Sequence, residues 1–262
     1  MKIKNDKKKG IIYKEIKPKS KLSTFVKSFW YFENKENENQ NYSILPDGCF
    51  DLLIYFKENK EKEIFLTGLW NKNIEVSIQA KTKILAIRFK PLATEYIIEK
   101  GIVDLLNSKI KISNKNFVFL KQIDTEYQDF NSFVNSNTIR LQSILGTEKG
   151  IDPRKEKVFE LLFKNQGVVS IKKISEQVYW SNRQISRYFN ENYGLSIKEY
   201  ANILRVNSTY KDLSNREHYP QTEYFDQSHF IKEIKKYTGE NPKTLIKNKN
   251  NRFLQLSTKQ MK

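Results

Sequence analysis

The hydrophobic pattern changes its period once along the chain. From 22 to 112 it is mostly strand-like. An aromatic run, Ser28-Phe29-Trp30-Tyr31-Phe32, precedes a polar loop over 33–41. Pro46-Asp47-Gly48 signals a turn ahead of the apolar run 49–56. A charged loop over 57–63 leads to Ile64-Phe65-Leu66 and a break at Gly68. Ile74-Glu75-Val76-Ser77-Ile78 alternates with period two, as a half-buried strand does. Ile84-Leu85-Ala86-Ile87-Arg88-Phe89 is nearly continuous, which suits a more deeply buried strand, and it stops at Pro91. Residues 92–100 read as a short helix closed by Gly101. Between 113 and 150 the spacing of Phe117, Leu120, Ile123, Tyr127, Phe130 and Val134 loosens toward helical.

Gly146, Gly150 and Pro153, set among polar residues, mark a boundary, and beyond it the period is helical throughout. Val158, Leu161 and Leu162 share one face before Gly167. Ser170 is placed to cap a short helix bearing Ile171, Ile174 and Val178, and Ser181 to cap a second bearing Ile185, Tyr188 and Phe189. Gly194 ends that helix, and a longer one from Ser196 carries Tyr200, Ile203, Leu204, Val206, Tyr210 and Leu213. The expected fold is α+β: a flexible basic lead-in over 1–21, a β-rich domain over 22–150 with a helical end, a helical domain over 151–247 and a polar tail over 248–262.

Composition narrows the function classes. The 262 residues are 38% hydrophobic and 13% aromatic, enough to fill a core. No stretch approaches 18 consecutive apolar residues, so no spanning helix is expected, and Ile11-Ile12-Tyr13 is too short for a signal-peptide apolar region. Cys49 is the single cysteine and makes no internal disulfide, which points to a reducing, cytoplasmic setting. His218 and His229 are the two histidines and lack ligand spacing, so no metal is expected. No phosphate loop or Ser-elbow motif occurs, and neither a cofactor nor catalysis is expected.

The net charge of +17 is uneven. Residues 1–21 hold nine Lys against Asp6 and Glu15, the middle is nearly neutral, and 151–262 hold 21 basic against 12 acidic groups. Excess cations favour polyanions through counterion release. Only eight of the 47 basic residues are Arg, however, and AT-rich codon usage would also raise Lys. Charge alone therefore leaves nucleic-acid binding open.

Two short helices with a tight turn form a helix-turn-helix pattern. If Ile185, Tyr188 and Phe189 pack inward, the outer face carries Asn182, Arg183, Ser186, Arg187 and Asn190. Arg can pair bidentately with guanine and Asn with adenine in the major groove, although a polar helix face is also what simple solvation produces. These residues resemble a family. Residues 181–189 (Ser-Asn-Arg-Gln-Ile-Ser-Arg-Tyr-Phe), Tyr193-Gly194-Leu195-Ser196, Tyr200 and Ile203-Leu204-Arg205 resemble the DNA-binding domain of AraC/XylS-type transcriptional regulators. So do Tyr224-Phe225-Asp226-Gln227-Ser228-His229-Phe230, Tyr237-Thr238-Gly239 and Asn241-Pro242. The likeness covers about 155–247 and implies two helix-turn-helix units joined by a helix over 196–214. It implies groove contacts from Arg183, Ser186 and Arg187, with Asn182 and Asn190 nearby. In the second unit the matching positions are Gln227, Ser228, Ile231 and Lys232.

That second unit departs from the family. Ten residues, interrupted by Pro220, separate Leu213 from Tyr224, and Glu223 stands where a Gly is usual. A full scaffold helix is not expected there, so the second unit is expected to be shortened and weaker. The N-terminal part resembles the sensor-type domain of one subgroup. The likeness rests on Phe25-Val26, Phe29-Trp30, residues 45–53, Gly68 and Ile87-Arg88-Phe89-Lys90-Pro91, though Leu92 replaces a Gly. It implies a regulatory module without naming a ligand. Double-stranded DNA, a small-molecule effector, RNA polymerase and a second copy of the chain are the candidate partners.

Asp47, Asp51, Arg88 and Trp30 are the effector-domain candidates. Arg is rarely buried unless paired, so an Arg88 pair with Asp47 or Asp51 is expected, against a reading in which Arg88 binds an anionic effector. An enzyme using Asp47, Cys49 and Asp51 is the alternative from another class, against a turn Asp, a strand Asp and a small buried residue. A non-specific basic DNA binder and a degenerate regulator are the remaining readings.

Overall fold

The computed structural model describes residues 2–5, 10–58, 60–126, 128–146, 150–214 and 227–247. The strands are β1 (Lys2–Asn5), β2 (Ile11–Ile16), β3 (Val26–Asn34), β4 (Gln40–Ile44), β5 (Phe50–Phe56), β6 (Glu63–Thr67), β7 (Ile74–Ile78), β8 (Thr82–Phe89) and β9 (Lys109–Lys111). Seven form one antiparallel sheet in the order β1-β2-β3-β8-β5-β6-β9, and β4 pairs with β7 in a second. The helices are α1 (Ala93–Tyr96), α2 (Phe130–Gly146), α3 (Pro153–Lys164), α4 (Ile171–Val178), α5 (Asn182–Tyr193), α6 (Ile197–Ser214), α7 (Gln227–Thr238) and α8 (Pro242–Lys247). The fold is α+β, with the sheets first and most of the helices after them.

Period two in the central strands sorts side chains onto two buried faces. Phe29 and Tyr31 of β3, Phe50, Leu52 and Ile54 of β5, and Leu85, Ile87 and Phe89 of β8 face the helices. Phe29 meets Phe133 of α2 edge-on at 6.2 Å. The alternate residues, Trp30, Phe32, Leu53, Ile84 and Ala86, form a second cluster with Tyr42 of β4 and Ile78 of β7. Covering both faces explains why 84–89 is apolar on both sides but for Arg88.

The helix-side core does not stop at the end of the β-rich half. It runs without interruption from Phe29 and Phe89 to Phe159 of α3, Phe189 of α5 and Tyr237 of α7. Phe159 is its hub, with ring centroids 5.5 Å from Phe189, 5.9 Å from Tyr193 and 6.0 Å from Tyr200.

One expectation is corrected. The basic lead-in over 1–21 contains strands: β2 pairs along its whole length with β3, Ile11 and Tyr13 are buried, and Tyr13 stacks on Trp30 at 6.3 Å. The surrounding lysines, with Lys14 and Glu15 inside the strand, conceal the apolar positions Ile11, Ile12, Tyr13 and Ile16. The loosely helical stretch from 113 resolves into a 3-10 turn at Val118–Gln122 and the helix α2. The expected tail over 248–262 lies outside the described residues, as does 215–226, where the absence of a scaffold helix was expected.

Replacing Tyr13 by Ala removes a buried ring and is expected to cost about 3 kcal/mol in urea denaturation. A loss below about 0.5 kcal/mol, the usual effect of a surface change, would restore the lead-in reading.

Candidate nucleic-acid interface and interior cavity

The first pair of short helices is set by its caps. Ser170 Oγ accepts from the Lys173 amide at 3.2 Å and starts α4. Ser181 and Gln184 form a reciprocal capping box at the start of α5, at 3.2 and 2.8 Å. Gly194, at φ +69°, ends α5 in the left-handed region open to glycine. Ile174 and Val178 of α4 and Ile185 and Phe189 of α5 are all buried, so the two helices are held face to face. Tyr179 makes the turn between them with φ +54° and is 92% exposed. A non-glycine residue there costs roughly 1–2 kcal/mol of backbone strain.

With one face of α5 committed to the core, the other is forced outward. Asn182, Arg183, Arg187 and Asn190 are exposed, and Ser186 is half-buried. Arg187 is 71% exposed and lies 3.9 Å from Glu191 one turn on, a loose surface pair. In the second unit, Phe230, Ile234 and Tyr237 bury one side of α7, leaving Gln227, Ser228, His229 and Lys232 exposed and Ile231 half-buried. Arg205 of α6 reaches Glu233 of α7 at 3.4 Å. Asn241 caps α8 through the Thr244 amide at 2.9 Å. Tyr224, Glu223 and His218 lie outside the described residues.

The effector-domain candidates converge at one place. In the β5–β8 register Asp51 stands opposite Arg88. Arg88 Nε donates to Asp51 Oδ1 at 3.0 Å and its NH2 to Oδ2 at 3.4 Å, while NH1 lies 3.3 Å from Asp47 Oδ2. Trp30 Nε1 donates to Asp51 Oδ1 at 2.9 Å, and the Asp51 amide donates to Thr67 Oγ1 at 2.8 Å. Both carboxylates therefore hold Arg88. Burial alone would lower the pKa of Arg88, but Asp51 and Asp47 outweigh it, and the guanidinium stands well above its usual value. For Asp51 burial pushes the pKa up while Arg88 pulls the other way. The expected pairing of Arg88 with a carboxylate is thus made with Asp51 and Asp47 together.

Above this network lies a cavity of about 480 Å³ between the large sheet and the β4–β7 pair. Trp30, Phe32, Tyr42, Tyr55, Phe65 and Trp70 supply its rings. Toward the rim, Glu63 pairs with Lys57 at 2.8 Å and Lys111 at 2.9 Å. Those two hydrogen bonds bring its carboxyl down to about 2. Lys109 rests its ammonium over Phe65 and Tyr55, at 4.7 and 5.5 Å from the ring centres, and burial lowers its pKa.

The network touches the helices through one turn. Asp47 Oδ1 accepts from the Cys49 amide at 3.0 Å. Gly48 has φ +73°, and a Cβ there would stand 2.8 Å from Leu204 Cδ2. Its carbonyl accepts from the Tyr200 hydroxyl of α6 at 2.9 Å. A second bridge runs through Glu95 of α1, which takes Lys155 of α3 on one oxygen and the Tyr188 hydroxyl of α5 on the other. Asn71 Nδ2 also donates to Glu199 Oε1 at 2.9 Å. Sequence reasoning missed Glu95 and the Gly48–Tyr200 contact. Glu95 is a lone acid on a four-residue helix, and no periodicity marks it.

Among the described residues no cluster of His, Cys, Asp or Glu is arranged to hold a metal, and no helix is long and apolar enough to cross a membrane. Residues 14–111 match a described family, a domain of unknown function (DUF6597). No curated protein matches the chain. Solved structures of ToxT from Vibrio cholerae are similar at low identity. An apo variant from strain SCE256 shares 10% identity at a TM-score of 0.41, covering 92% of this chain and 98% of that one. Wild-type ToxT bound to an unsaturated fatty acid shares 11% at 0.38, covering 93% and 97%. ToxT from strain O395 bound to a naphthyl-butenoic acid shares 13% at 0.38, covering 91% and 98%.

Cys49 is buried, and burial pushes its thiol up to about 12. Since the thiolate is the reactive form, Cys49 is expected to resist a disulfide reagent at pH 8 in the native protein and to react fully in urea. Rapid native labelling would revive a nucleophilic role.

Proposed function

We propose that the chain is a sequence-specific DNA-binding transcriptional regulator of the AraC/XylS type, not an enzyme. In this reading α5 enters the major groove. Arg183, Ser186 and Arg187 meet base edges, and Asn182 and Asn190 meet bases or phosphate. The α7 residues Gln227, Ser228 and Lys232 make a weaker second contact. The observation that carries the reading is the division of α5 into a fully buried apolar face and an exposed face with two Arg, presented from a capped helix pair. A small molecule in the β-rich half would act as effector by shifting the population between DNA-competent and incompetent arrangements. The route is the turn at 46–49, which joins Arg88 and Asp47 on the cavity side to Tyr200 on α6. RNA polymerase and a second copy of the chain belong to the same reading as partners, and the cytoplasm as its setting.

The test is capture and sequencing of genomic fragments with the purified chain, followed by gel shifts on the recovered site. Arg183→Ala and Arg187→Ala are each expected to weaken specific binding roughly 10- to 100-fold, with little change on random duplex. Gln227→Ala and Lys232→Ala are expected to matter less. Equal affinity for the recovered site and scrambled duplex would leave only a bulk-charge binder.

Tyr200→Phe removes the hydroxyl that grips Gly48 and leaves the outer face of α5 untouched. It is expected to change specific DNA affinity by at least about threefold. An unchanged affinity in a folded variant would disconnect the turn from DNA binding.

A further inference from the structure

We infer that the cavity between the two sheets takes an uncharged, ring-bearing small molecule; this rests on the effector reading above. Its volume, about 480 Å³, lies within the roughly 300–1,000 Å³ of small-molecule sites. Six aromatic side chains line it, drawn from both sheets and the segment after β6. Flat rings stack well on such walls, offset or edge-on.

The charges decide the rest. At the inner end the guanidinium of Arg88 is already paired with two carboxylates, Asp51 at 3.0 Å and Asp47 at 3.3 Å. An anion there would have to displace a carboxylate from a partly desolvated pair, and breaking such a pair is costly. A cation gains little at Asp51, whose oxygens already accept from Arg88 and from the Trp30 indole. At the rim Glu63 is taken by Lys57 and Lys111, and Glu75 accepts from the Ser43 hydroxyl. Lys109 is the remaining cation, and its ammonium sits over two rings where water reaches it. A charged ligand would leave water without a buried counter-charge to meet, which an uncharged ligand avoids. A single hydroxyl or N–H remains compatible, because the polar residues Thr67, Asn107 and Ser108 also line the wall.

The experiment is calorimetric titration of the intact chain with three probes that share one ring system: indole, indole-3-acetate and tryptamine. Indole is expected to bind at least about tenfold more tightly than either ion. Val76→Trp, which adds bulk to a half-buried wall position, is expected to abolish indole binding while leaving the melting temperature within a few degrees. If that variant melts early, Ile74→Trp, two positions away on the same face of the strand, serves in its place. Tighter binding of either ion, no binding of any probe, or indole binding that survives a folded wall variant would each overturn the inference. Repeating the gel shift with saturating indole separates the two claims. Binding in the cavity without a change in DNA affinity upholds the ligand class and removes the effector role.

Discussion

The central strands β3, β5 and β8 bury large side chains on both faces, and that constraint organises the molecule. A sheet buried on one side needs only one partner layer. Here β3, β5 and β8 present large apolar side chains both ways, so two layers must cover them. The helices cover one side and join it to their own core. The short β4–β7 pair covers the other, but two strands are too few to fill the space behind them, and a cavity remains. The candidate ligand chamber and the candidate DNA-reading helices are thus opposite consequences of one doubly buried sheet.

Polar groups can enter such a sheet only when they satisfy one another. Arg88, Asp51 and Trp30 lie on neighbouring strands of the same face, and each completes the hydrogen bonding of the next. Asp47 extends the group into the turn that meets α6. That assembly ties Arg88 to two carboxylates and joins β5, β8 and the turn before β5.

Much of this was legible in the chain. The apolar run 84–89, the alternation at 74–78, the caps at Ser170 and Ser181 and the stop at Gly194 each carry a local physical signature, and each element stands where its signature lies. Strand β2 was hidden because the lysines around it dominate a composition-based reading and Lys14 and Glu15 interrupt its apolar positions. Strand β4 was hidden because Gln40, Asn41 and Ser43 resemble a loop until Tyr42 is seen packed on Phe32. The pairing of Arg88 with a carboxylate followed from the cost of burying an unpaired cation. That both Asp47 and Asp51 would share it did not, because register between β5 and the turn before it is a tertiary outcome. The Gly48–Tyr200 contact joins residues 152 positions apart, and no local pattern encodes such a distance.

The two bonds of Glu95 bear on how such a chain can change over generations. One carboxylate, rooted in the β-rich half, holds both a Lys of α3 and the hydroxyl of Tyr188 on α5, while the shared apolar core and the Lys90 ammonium over the Phe163 ring close the same seam. Grafting the helices onto a foreign sensor would strand that carboxylate and bare the apolar seam to solvent. The halves are therefore poor candidates for shuffling as interchangeable cassettes, and residues along their seam are expected to vary in concert across descendants of this protein.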